Sequence, residues 1–267
     1  MEQLAEKISQ KIEQVGGTWG IALEDLDTGE VWLRNSDETF YAASIIKVPI
    51  MIAVFHAHEY EGLSLSETIK LRSEDIVGGC GVLQHLTPGI ELSLHDLTTL
   101  MIIQSDNTAT NMLIDVLGKE QIQQVMKDYG LNKSEFHHKL MTVPVEKEGS
   151  NCITAFEMTS LLKKIVTGKV VSFHACEKMI EVLMRQQITN GLPAKLPTPN
   201  PAIIGDAKSW MFAHKTGNVH QTRHEIGIFY IGKRKMIVSV LAKGIDDRIL
   251  QEAFTEIGLL IYYSLNK

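Results

Sequence analysis

The chain has 267 residues, of which 44% are hydrophobic, 22% charged and 6% aromatic, with a net charge of -6 at neutral pH. That is enough apolar material for a full core in one large domain or two lobes. The composition excludes a disordered chain, the acidic balance gives no pull toward nucleic acid or anionic lipid, and no apolar run reaches the roughly 18 residues of a membrane-spanning helix.

Leu4, Ile8, Ile12 and Val15 recur at helical spacing and predict a first helix that stops at Gly16-Gly17. Thr18 to Glu24 reads as a strand, Asp25 to Gly29 as a turn, and Val31 to Arg34 as the second arm of a hairpin. A helical pattern runs from Ser44 to Tyr60. Helices then dominate to Arg185, at about Leu94–Gln104, Thr108–Leu117, Glu120–Tyr129, Thr154–Thr167 and Ser172–Arg185. A proline-rich connection, Pro193 to Pro201, precedes strands near Met211–Thr216, Glu225–Ile231 and Met236–Leu241. The basic run Lys233-Arg234-Lys235 reads as a solvated hairpin turn, and a last helix covers Asp247–Leu265. Strands at both ends with helices between predict an α+β fold: an antiparallel sheet flanked by helices, built from residues 1–43 and 206–267, with an all-helical lobe, 44–205, inserted. The two lobes form one domain overall.

Three short motifs carry chemistry. In Ser44-Ile45-Ile46-Lys47 the spacing puts a hydroxyl and an amine on one helical face, so the amine can act as base if burial lowers its pKa. The helix N-terminus also offers the Ser44 amide to a developing oxyanion. Taken alone, the same residues describe a capping serine and a surface lysine. Ser105-Asp106-Asn107 falls between two helical patterns, where Ser105 can relay a proton and the Asn107 amide can hold a carbonyl; capping is its ordinary alternative. Lys215-Thr216-Gly217 ends an apolar strand, where a lysine and a hydroxyl can bind a carboxylate and Gly217 lets a ligand approach the backbone. A substrate there would lie along the strand as an added edge. The three together, in this order, form a serine acyl-transfer signature.

On these motifs the chain resembles the class A β-lactamase family, within the wider group that includes penicillin-binding transpeptidases. The likeness is densest at Tyr41–Lys47, Leu100–Asn111 and His214–Gly217. The resemblance implies that Ser44 attacks a lactam carbonyl with Lys47 as general base, and that Ser105, helped by Lys215, passes a proton to the leaving nitrogen. It further implies an oxyanion hole from the backbone amides of Ser44 and Asn218, a substrate amide held by Asn107, a carboxylate held by Thr216 with charge added by Arg223, and Gly217 as a substrate-binding residue beside them. The site would lie between the lobes and need neither cofactor nor metal; its partner is a small β-lactam, ester or amide.

One departure bears on turnover. Class A enzymes carry a glutamate between the second and third motifs that activates the deacylating water, with an asparagine four residues on. The corresponding stretch here, Phe136 to Thr142, has no acid near Leu140. Glu146 or a histidine of His137-His138 are the available substitutes. Three readings therefore stand: a β-lactamase with slow deacylation, a penicillin-binding sensor or sink that stays acylated, and a cytoplasmic serine esterase or peptidase.

Other residues carry less. Cys80, Cys152 and Cys176 are odd in number and have no metal spacing; Cys80, in a glycine-rich loop, reads as a buried or inert thiol at the rim of the cleft. His56 with His58, and His220 with His224, lack the context of a zinc motif. The N-terminus carries acids and no apolar h-region, which points to a cytoplasmic protein, or to a secreted one whose export signal is missing from this chain.

Overall fold

The structure, a computed structural model, describes residues 1–142, 149–199 and 208–266. An amphipathic helix α1 (Glu2–Val15) buries Leu4, Ile8 and Ile12 and ends at Gly16, whose φ of 77° suits glycine. It leads into β1 (Thr18–Asp25) and β2 (Val31–Arg34), the predicted hairpin. The other sheet strands come from the far end of the chain: β7 (Trp210–Val219), β8 (Thr222–Ile231) and β9 (Arg234–Lys243). Together they form a five-stranded sheet in the order β2-β1-β9-β8-β7, with every neighbouring pair antiparallel. The sheet's central strands are nearly all buried, as strands covered on both faces must be.

One face of the sheet packs under α1 and the final helix α8 (Asp247–Leu265), around Trp19, Phe212, Phe229, Phe254 and Ile257. The other face meets a larger core of helices: α2 (Lys47–Tyr60), α3 (Leu94–Ile103), α4 (Asn107–Leu117), α5 (Lys119–Asp128), α6 (Ala155–Val166) and α7 (Phe173–Met184). Helix α2 lies at the centre of this layer. It is apolar all round and buried from Lys47 to Phe55, and its Pro49 falls in the first turn, where no intrahelical donor is lost. Side-chain caps start five of the helices: Ser93 at α3, Asp106 at α4, Thr154 at α6, Ser172 at α7 and Asp246 at α8.

Four short strands escape the sequence pattern: β3 (Phe40–Tyr41) pairs with β6 (Cys152–Ile153), and β4 (Thr68–Lys70) with β5 (Glu91–Ser93). Segments of two or three residues carry no readable period. The β3–β6 pair matters for the site because it ties the chain just before Ser44 to the start of α6. The predicted border between the lobes at residues 205 and 206 lies outside the described residues. Arg234 is not purely solvated: its guanidinium donates to Asp25, a buried carboxylate of β1. Among the described residues no helix is long and apolar enough to cross a membrane.

Candidate active site

Ser44 sits in a short 3-10 helix, Ala43–Ile46, that runs directly into α2 at Lys47. In 3-10 geometry residues three apart eclipse, so Ser44 and Lys47 share a face. Ser44 is half-buried and Lys47 fully buried. Ala43, just before the serine, is held at φ 44°, and Ser105 at φ 53°. Each left-handed non-glycine residue costs about 1–3 kcal/mol, and such strain gathers at functional sites.

The second motif lies between α3 and α4. Asp106 is the anchor: Oδ1 caps α4 through Ala109 N at 2.9 Å, while Oδ2 accepts from Val82 N at 2.7 Å and Leu83 N at 2.8 Å. Capping, the ordinary reading of this motif, is thus the job of its middle residue. The glycine-rich loop is drawn against it, with Asn107 N donating to Cys80 O at 3.0 Å and Asn107 Nδ2 to Gly78 O at 3.1 Å. Cys80 is exposed, not buried. Its loop lies on the surface because Gly79 and Gly81 pack tightly against Asn107 and Asp106 beneath it.

The three motifs meet at one hydroxyl. Lys47 Nζ donates to Ser105 O at 2.6 Å, to Ser105 Oγ at 3.1 Å and to Asn107 Oδ1 at 2.8 Å. Lys215 Nζ, from β7, donates to the same Ser105 Oγ at 3.1 Å and to Thr216 O at 2.7 Å. Burial holds the Lys47 amine down at about 7, against smaller upward pulls from Cys80 and Asp106. Burial, and then the charge of Lys47, push Lys215 well below the usual lysine range. Two ammonium groups on one buried oxygen repel each other, so the cluster holds a free amine near neutral pH.

Gly217 closes the site on the sheet side. A Cβ there would stand 3.1 Å from Ser44 N and 3.2 Å from Ile45 N, so only glycine lets β7 lie this close to the serine backbone. Strand register divides the remaining candidates. Lys215 pairs with Ile226 and Gly217 with His224, facing the helical layer; Thr216 pairs with Glu225 and Asn218 with Arg223, on the α8 face. Arg223 is buried, spends Nη2 on Asn190 O and Oδ1, both at 2.8 Å, and lies over the Phe254 ring. Its guanidinium is therefore committed to the loop after α7.

Asn111, on α4, is a site residue that sequence reasoning did not single out. Its Nδ2 donates to Leu140 O and its Oδ1 accepts from Leu140 N, each at 2.8 Å. Asn151 grips the residues just before, accepting from His137 N at 2.7 Å and His138 N at 3.1 Å and donating to His138 O at 2.9 Å. The His137 ring is held by Glu135 at 2.6 Å, and His138 Nδ1 lies 2.8 Å from Lys139 O. Glu146 and Glu148 lie outside the described residues. Exposed His220 and fully buried His224 share no ligand position.

A profile described as the beta-lactamase enzyme family matches residues 3–265. The chain belongs to this family. A β-lactamase of Rhodobacter capsulatus is 28% identical over 233 residues, 85% of this chain and 75% of the relative. Among solved structures, a β-lactamase from Sphaerobacter thermophilus superposes with a TM-score of 0.88 at 29% identity, covering 98% of this chain and 96% of that one. PBP-A gives 0.85 at 26% identity, covering 98% and 96%. A leucine-to-glutamate mutant of PBP-A, solved as an acyl-enzyme complex with penicillin-G, gives 0.84 at 26% identity, covering 99% and 97%. This member of the β-lactamase family is thus a serine hydrolase of the β-lactamase type, with the five-stranded sheet and helical layer of that fold.

Proposed function

We propose that the enzyme opens the β-lactam amide through an acyl-Ser44 intermediate and releases the acyl group slowly. Ser44 Oγ attacks the lactam carbonyl while Lys47 Nζ takes its proton. The backbone amides of Ser44 and Asn218 receive the oxyanion. As the C–N bond breaks, Ser105 Oγ gives its proton to the leaving nitrogen and is resupplied from Lys47 or Lys215. Asn107 and the end of β7 at Thr216 and Gly217, Thr216 through its backbone because its side chain lies on the α8 face, form the binding wall, and Arg223 supports it from behind through Asn190. The observation that carries this reading is the convergence of Lys47 and Lys215 on Ser105 Oγ at 3.1 Å each, next to the contact of Gly217 with Ser44.

Leu140 supports slow release. Asn111 clamps the backbone of a residue whose side chain can accept no proton. General bases contribute about 10²–10⁴-fold, so the acyl ester should persist by a comparable factor. The same observation favours a second reading, a penicillin-binding sink or sensor whose purpose is the adduct itself. PBP-A, whose leucine-to-glutamate mutant was captured as a penicillin acyl-enzyme, is a relative in keeping with either.

Intact mass spectrometry after mixing with benzylpenicillin tests both. An adduct mapped to Ser44 is the expected result, and its absence overturns the proposal. Sustained turnover of a chromogenic cephalosporin distinguishes the hydrolase from the sink.

A further inference from the structure

His224 is buried to 0% exposure on β8, its ring on the helical face of the sheet, and the steps above do not use it. Both ring nitrogens are occupied. Nδ1 lies 3.3 Å from Ala242 N of β9, beside the Arg223 backbone, and Nε2 lies 2.9 Å from Tyr41 O; with Nδ1 as the acceptor for Ala242 N, the proton sits on Nε2. The two contacts are unequal in consequence. Ala242 already belongs to the sheet, paired with Arg223 and Trp19. Tyr41, by contrast, is three residues before Ser44, in the two-residue strand β3. In the sheet His224 is the register partner of Gly217, the residue that lies against Ser44 N. A closed circuit results: Gly217 leaves no room for a Cβ beside Ser44 N, Gly217 pairs with His224, and His224 holds Tyr41, which leads back through strained Ala43 to Ser44.

We infer that His224 is a positioning residue whose Nε2–H bond to Tyr41 O sets the Ser44 amide against the end of β7, so that the two backbone donors of the oxyanion hole face one point. The inference rests on the proposed acyl transfer at Ser44. The ring suits the task because it is neutral: burial pushes His224 down to about 4, so no charge is trapped beside the apolar Phe40 ring, which meets it edge-on at 5.7 Å. The charged neighbour Lys243, on β9, lies over the Phe40 ring and donates to Glu38. The strain at Ala43 explains the need for a tie, since a left-handed alanine persists only where its surroundings hold it. Ala42 N donating to Asn151 O at 2.8 Å is the second tie on this segment.

Two substitutions separate the nitrogens. His224→Gln can place an amide N–H where Nε2 stands, keeping the bond to Tyr41, whereas His224→Asn can keep only the acceptor for Ala242 N. With the full chain and a fluorescent penicillin, the acylation rate constant should stay within about threefold of wild type in His224→Gln and fall about 10²-fold in His224→Asn, the loss that follows roughly ångström-scale misplacement of a reacting group. Equal, wild-type rates in both variants would overturn the inference, even if both melt at lower temperature. If neither variant folds, ring ¹⁵N shifts of the wild type at pH 6 decide: a neutral Nε2–H tautomer is expected, and an Nδ1–H tautomer or an imidazolium overturns it. A wild type that forms no adduct removes the acyl-transfer reading and this inference with it, whereas adduct formation insensitive to position 224 removes the inference alone.

Discussion

Lys47 and Lys215 reach the Ser105 hydroxyl from two different layers of the fold, one from the buried helix α2 and one from the edge strand β7, each with Nζ 3.1 Å from Oγ. No pair of surface lysines could be held so, because water would separate them. Their shared burial makes one of them a base.

The first consequence is a pH profile. With Lys47 held down at about 7, its free amine grows about tenfold per unit as pH rises toward 7 and saturates above it. The rate of penicillin adduct formation should follow that curve, measured by stopped-flow between pH 5 and 9. A rate independent of pH across this range would remove Lys47 as the base.

The same group sets a stability trend. The folded pKa of Lys47 lies below the unfolded value, so between about 7 and 10.5 the unfolded chain binds the extra proton and stability rises with pH. Below about 7 the whole cost of the buried charge is present. Lys47→Met, which removes that charge, should therefore gain most in melting temperature near pH 6 and least near pH 10, while losing adduct formation. Calorimetry at the two pH values checks the sign.

Leu140→Glu should shorten the life of the acyl-enzyme by about 10-fold or more, part of what a placed general base can give. Acylation itself should be little changed. Adduct lifetime by mass spectrometry, alongside cephalosporin turnover, separates the two steps.

Gly217→Ala puts a Cβ 3.0 Å from Ile45 Cγ1 and 3.1 Å from Ser44 N. Overpacking of this kind costs about 1–3 kcal/mol, and here the yielding part is the nucleophile's own backbone. Adduct formation should fall far more than the melting temperature does, as rate measurements and thermal melts on one sample would show.

Glu157, buried at the start of α6, accepts from Asn132 N and Lys133 N through Oε1, and from Ser134 N and Oγ through Oε2. Glu157→Ala strands these donors and should cost about 3 kcal/mol or more, read as a shift in the denaturation midpoint. Glu157→Gln, which keeps an acceptor oxygen, should lose less.

Much of the scaffold is legible in the chain. The hairpin arm Val31–Arg34 and the last helix Asp247–Leu265 stand where they are predicted, the first because the turn Asp25–Gly29 precedes it and its residues alternate between exposed and half-buried, the second because it has one buried face. The three motifs announce themselves because each needs fixed residue types at fixed spacing. What the sequence hides is longer-range. Asn111 looks like one more polar residue on a helix until Leu140, 29 positions away, is seen between its two hydrogen bonds. Arg223 reads as free positive charge until Asn190 and Phe254 are seen around it. His224 looks like half of a mismatched metal pair until the chain folds back and Tyr41 arrives. In each case a partner distant in sequence fixes what the side chain does.

Asn111 takes hold of Leu140 by its peptide groups and leaves the side chain out of the bargain. Position 140 can thus change identity while its peptide stays held, losing only the packing of the half-buried Leu140 side chain against the helical core. On the proposed chemistry, one residue held by its backbone would then decide whether a captured antibiotic is kept or let go.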